Sequence, residues 1–162
     1  MTTDNNTVRN YVNGTWQVPK GTVEQEIHNP ATTETVAYVQ FSGESDLDRA
    51  VAAANNAFED WRSRPVEERI QPLFALKSRL EENLEELTEI LVTDHGKTRD
   101  EARGELRRGI ENVEVACGIP TMMQAGALAN AAPSIDESAI REPLGTFAGV
   151  TPFNFPAMIS LW

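Results

Sequence analysis

The stretch Thr-Pro-Phe-Asn-Phe-Pro, residues 151–156, follows directly on an apolar run at 144–150. A run apolar on both faces is what a buried parallel strand requires. The carboxyl ends of such strands are where open α/β sheets place their ligands. The spacing therefore puts one amide side chain, Asn154, at a ligand-binding position, on a loop stiffened by Pro152 and Pro156. Two roles suit an amide there: a donor to a ligand oxygen, or a cap for the helix that follows. Residue types and spacing leave both open.

Other reactive residues carry weaker signals. The run from His95 to Thr98 (HGKT) looks like the tail of a phosphate-binding loop, but G-x-x-x-x-G-K-[ST] needs glycine at position 91, where Leu91 stands. It reads as a helix break. His28, His95 and Cys117 lack metal-ligand spacing, so no metal site is expected. Cys117 falls at a helix end among apolar neighbours and reads as a structural thiol rather than a nucleophile. Glu81, Glu82, Glu85, Glu86 and Glu89 read as a solvated helix face.

The elements that must position Asn154 can be read along the chain. Residues 11–18 (YVNGTWQV) predict a two-residue hairpin, since Asn13-Gly14 suits a type I′ turn. A turn at Asn29-Pro30 precedes a strand with Val36, Tyr38 and Gln40 on one face and Ala37, Val39 and Phe41 on the other. Ser45 and Asp48 give a helix start, and Leu47, Val51, Ala54, Phe58 and Trp61 recur at helical spacing behind them. Pro65 opens a second helix with Ile70, Leu73, Leu76 and Leu80 inward, and Pro72 predicts a kink or a late start in it. Asn83 with Glu86 starts a third, through Leu84, Leu87, Ile90 and Leu91, that breaks at Gly96. A fourth covers about 98–117, with its charges expected outward. An Ala/Gly/Pro-rich connector, a short strand candidate at 138–142 (SAIRE) and the apolar run at 144–150 complete the pattern.

Composition excludes several classes. The 162 residues carry 25 acidic and 14 basic side chains, a net charge of −11 that repels nucleic acid and anionic lipid alike. Only three of the basic residues are lysines, an acidic and Lys-poor balance of the kind that keeps a protein soluble in concentrated salt. One cysteine fits a reducing compartment, the polar start MTTDNNTVRN is no secretory signal, and no apolar run is long enough for a membrane span. A cytoplasmic protein is expected, and the sequons at Asn5 and Asn13 read as chance. The chain finishes on Ile159, Leu161 and Trp162 without Gly, Asn or a basic residue to close the helix, which predicts the front of a longer chain.

In sequence order, NPATTETVA, AFEDWRSRPVEER, DHGKT with EARGE, RGIENVEVACGIP and PLGTFAGVTPFNFPAMISLW together resemble the aldehyde dehydrogenase superfamily. They are most similar to its CoA-acylating methylmalonate-semialdehyde dehydrogenase branch, chiefly through RGIENVEVAC and Phe153. The likeness runs from about Tyr11 to Trp162. Ser160 stands where that branch usually has proline, and Pro72 where a helix former would be expected.

The resemblance implies an α/β fold: the N-terminal part of an aldehyde dehydrogenase, truncated after the first strand of a Rossmann-like parallel sheet. Residues 1–124 would belong to the NAD-binding domain, 125–143 to a connector and oligomerisation arm, and 144–162 to the first strand and turn of the core. It implies NAD-dependent oxidation of a small aldehyde through a cysteine thiolate, with the thioester passed to CoA in this branch and to water in most others. Asn154 would match the amide that donates to the developing oxyanion, while Thr151, Pro152 and Phe153 would line the NAD site. The nucleophilic cysteine would lie beyond Trp162, and the enzyme would be a homo-oligomer, a dimer or tetramer. A non-acylating aldehyde dehydrogenase, or a stand-alone helical interaction domain without catalysis, are the alternatives.

Overall fold

The computed structural model describes residues 7–162; the sequon at Asn5 and most of the polar start lie outside the described residues. Strands β1 (Thr7–Val8), β4 (Glu24–His28) and β5 (Thr35–Gln40) form one sheet in the order β1-β5-β4. β1 runs parallel to β5 with Thr7 opposite Tyr38, and β4 runs antiparallel to it with Glu26 opposite Tyr38. β2 (Asn10–Val12) and β3 (Thr15–Gln17) form the expected hairpin. Asn13 (φ 50°) and Gly14 (φ 78°) supply the two positive φ angles that a type I′ turn demands. Sequence periodicity passes over β4, because three of its five residues are charged or histidine and its register comes from pairing with β5.

Helix α1 (Glu44–Ser63) begins one residue before the Ser45 start. Its N-terminus is closed by Asp46, whose Oδ2 accepts from the amides of Gly43 (3.0 Å) and Lys20 (2.9 Å). Asp46 is 4% exposed, and these amide bonds, with Arg49 beside them, hold its carboxyl below the ordinary value of 3.8. A folded pKa below the unfolded one means that the ionised carboxylate stabilises the fold fully above pH 3.8 and that this contribution is lost as pH falls through the folded value. The gap in melting temperature between wild type and Asp46→Asn, measured from neutral pH downward, is therefore expected to shrink below pH 3.8. A gap independent of pH would show that the carboxylate charge is not what ties Lys20 and Gly43 to the helix.

The apolar stripe of α1 is not the inward face that its spacing predicts. Leu47 (63%), Val51 (44%) and Trp61 (40%) are exposed, Phe58 is half-buried, and among the described elements the β2–β3 hairpin touches α1 near Ala54. The core lies elsewhere. Helices α2 (Val66–Arg69) and α3 (Gln71–Glu82) replace the single helix expected after Pro65, and Pro72 sits in the first turn of α3, where its missing N–H has no carbonyl to meet. α3 and α4 (Leu84–His95) pack on α5 (Arg99–Cys117) around Leu84, Leu91, Ala102, Leu106 and Ile110. Asn83 precedes α4 as expected, but its side chain donates to the carbonyl of Arg79 instead of capping the helix. α4 ends at Gly96, in the left-handed conformation at φ 76°.

The connector also departs from expectation. After the short helix α6 (Ile119–Met122), strands β6 (Ala127–Ala132) and β7 (Ile135–Ser138) pair as an exposed hairpin, so of the SAIRE segment only Ser138 is strand. The 144–150 run forms no strand: Leu144 is 87% exposed, Phe147 77% and Val150 100%. A parallel strand is completed by its neighbours, and no described strand lies beside this one. Helix α7 (Pro156–Ser160) follows it and packs against α5, and Ser160, in place of proline, donates to the carbonyls of Pro156 and Ala157.

Candidate functional site at the 151–155 turn

Thr151, Pro152, Phe153 and Asn154 all lie on the exposed turn before α7. Two residues from distant sequence hold that turn. Lys97 follows the glycine that ends α4, and its Nζ donates to the Asn154 carbonyl at 2.8 Å while sitting 4.4 Å from the centroid of the Phe155 ring. Glu105, on α5, is 4% exposed. Its Oε1 accepts from the amides of Ala157 (2.9 Å) and Met158 (3.1 Å), and its Oε2 is paired with Lys97 Nζ.

Local structure explains why both side chains arrive there. Thr98 caps α5: its Oγ1 accepts from the Glu101 amide, and Glu101 Oε2 accepts from the Thr98 amide and hydroxyl. Those bonds hold the Glu101 carboxyl below its ordinary value, the hydroxyl contributing most. Lys97 is thereby fixed one residue before a capped helix. Glu105 lies three residues after Ala102 and four before Gly109, on the buried stripe that continues through Leu106, Ile110 and Val113. At Gly109 a side chain would come within 2.9 Å of Leu161 and 3.5 Å of the Met158 backbone, so glycine there lets α7 approach close enough for Glu105 to reach its amides.

The Lys97–Glu105 pair bears on one of the two roles open to Asn154, the cap. The residue at the N-cap of α7 is Phe155, no side chain next to the helix caps it, and the amides of its first turn are taken by Glu105. Asn154 is therefore not the cap. Its backbone carbonyl is fixed by Lys97, and the residue is exposed. Thr151, Pro152 and Phe153 are exposed beside it, Phe153 at 86%.

Sequence reasoning missed both anchoring residues. In the sequence Lys97 stands only within a phosphate-loop remnant, and the charges of α5 read as outward-facing. The signal for Glu105 is present nonetheless, as a lone carboxylate in phase with an apolar stripe. The remaining candidates stand apart from the turn. His28 Nε2 lies 3.7 Å from Glu26 on the sheet, His95 ends α4, and Cys117 is a free, half-buried thiol in the last turn of α5. Among the described residues no three His, Cys, Asp or Glu side chains gather as metal ligands, and no helix is long and apolar enough to cross a membrane.

Comparison with known proteins bears on what this turn serves. Residues 16–162 match the aldehyde dehydrogenase family. The chain belongs to that family. It is 48% identical to malonate-semialdehyde dehydrogenase 2 of Shouchella clausii over 99% of its length, covering 33% of that protein. The methylmalonate-semialdehyde dehydrogenase of Oceanimonas doudoroffii superposes with a TM-score of 0.88 at 39% identity, over 93% of this chain and 31% of the other. A Sinorhizobium meliloti protein described as a methylmalonate-semialdehyde dehydrogenase, complexed with NAD, superposes at 0.89 with 36% identity, over 94% and 31%. The chain thus spans about a third of the length of the curated relatives it matches. Within the aldehyde dehydrogenase fold it corresponds to the N-terminal part, which is the mixed α/β region expected from the sequence.

Proposed function

We propose that these residues are the N-terminal part of an NAD-dependent, CoA-acylating malonate- or methylmalonate-semialdehyde dehydrogenase. The observation that carries the reading is the division of labour at α7: Glu105 meets the helix amides, so the Asn154 amide remains available to a ligand on an exposed turn. In the reaction, a cysteine thiolate supplied from outside these residues attacks the aldehyde carbon, and the carbonyl oxygen gains negative charge. The Asn154 side chain donates an N–H to that oxygen, a bond stronger in the transition state than with the neutral carbonyl. NAD, when bound, accepts the electrons of the oxidation. Thr151, Pro152 and Phe153 flank its site, and the acyl group of the resulting thioester passes to the CoA thiol, releasing the cysteine thiolate. The exposed β6–β7 hairpin serves as the arm through which the enzyme forms a homo-oligomer, offering strand edges to a second subunit. Its single cysteine supports a reading of the protein as cytoplasmic.

The test is aldehyde-dependent reduction of NAD by the full-length protein with malonate or methylmalonate semialdehyde, with and without CoA. NADH formation that is accelerated by CoA and yields an acyl-CoA product is expected. Free acid as the sole product at saturating CoA would favour a non-acylating aldehyde dehydrogenase, and no NADH with any aldehyde would overturn the proposal.

A further inference from the structure

Lys97 and Glu105 form a buried ion pair that touches the chain at four points over five residues. They engage the carbonyl of Asn154, the ring of Phe155 and the amides of Ala157 and Met158. The Glu105 side chain is 1% exposed and that of Lys97 13%. Two charges removed from water this far are costly unless their hydrogen bonds are completed, and here each completes them on the same turn. Lys97 fixes the backbone immediately at Asn154, and Glu105 fixes the start of the helix that follows.

We propose that the Lys97–Glu105 pair is the positioning device for the Asn154 amide, acting on the reaction through Asn154 and touching neither aldehyde nor cofactor. The inference rests on the reading of Asn154 as the oxyanion donor. A donor works only when held near the place where charge develops, and a displacement of about 1 Å costs on the order of 100-fold in rate. The turn has no cap and no sheet partner of its own among the described residues, so its position is set by these two side chains.

The test is a double-mutant cycle in the full-length enzyme. Lys97→Met with Glu105→Gln removes both charges together, so no lone charge is left buried, while Gln retains an oxygen for the two amides. This variant is expected to lose about 10- to 100-fold in kcat with little change in the Kd for NAD. Made in an Asn154→Ala background, it should produce almost no further loss, because the amide it positions is gone. Glu105→Gln alone, which keeps the side-chain volume, is the second variant for use if the pair variant does not fold; a smaller loss that likewise vanishes in the Asn154→Ala background is expected. A loss of kcat that persists undiminished without Asn154, or an unchanged kcat in a folded variant, overturns the positioning role and leaves the oxyanion reading intact. An unchanged kcat in Asn154→Ala itself overturns both, which separates the two failures.

Discussion

Asn154→Ala in the full-length enzyme is expected to lower kcat about 100- to 1,000-fold, about 2.7–4 kcal/mol of transition-state stabilisation, by analogy with other oxyanion donors. The Kd for NAD should change little, since Thr151, Pro152 and Phe153 are unaltered. Stability should change little as well. A capping asparagine lost to alanine would cost about 1 kcal/mol and leave turnover nearly intact, but the first-turn amides of α7 are bonded to Glu105, and the N-cap position belongs to Phe155. Measuring kcat, Kd and the melting temperature on this one variant separates a donor from a cap. A destabilised enzyme with normal turnover would contradict the donor role.

Ile110→Ala is expected to have a comparably large effect, on stability rather than chemistry. Ile110 is 1% exposed and packs with Leu84, Leu91, Ala102 and Leu106 where α4 meets α5. Removing its outer methyl groups forfeits their burial and leaves a cavity between two helices that cannot close without shifting, at a cost of about 2–5 kcal/mol. Five residues further along the same helix, Val115 is 61% exposed, and its replacement by alanine should stay within about 0.5 kcal/mol. Urea titrations of the two variants provide the check, the first with a lowered midpoint and unchanged slope and the second close to wild type. Equal midpoints would place the core elsewhere.

Signals with a local cause were legible in the sequence. Asn13-Gly14 specifies its hairpin by backbone freedom alone, Gly96 ends α4, and the α5 start expected at about residue 98 falls where Thr98 caps the helix; each needs only neighbours a few residues away. What was not legible depends on distant partners. β4 exists because β5 lies beside it, not because its charged residues favour a strand. The Ala-rich β6 has little strand propensity and is held by β7, while the apolar 144–150 run has no partner among the described residues. α1 shows an apolar stripe that periodicity assigns to a core, yet Leu47, Val51 and Trp61 in it stay exposed. At the candidate site, Asn154 and its neighbours could be picked out from a proline-framed loop, whereas Lys97 and Glu105 lie 57 and 49 residues away in sequence and meet the turn only through the packing of α5 on α7. The inward phase of Glu105 was written in the α5 pattern, but a carboxylate is buried so seldom that charge outweighed phase.

The role of the 151–155 turn is tested most directly by a structure of the full-length enzyme with NAD and an aldehyde substrate or slow-reacting analogue bound at the nucleophilic cysteine. The aldehyde-derived oxygen is expected about 2.7–3.1 Å from Asn154 Nδ2, with the Asn154 carbonyl still bonded to Lys97. An Asn154 side chain folded back onto the amides of α7, with the oxygen held entirely by other donors, would contradict it.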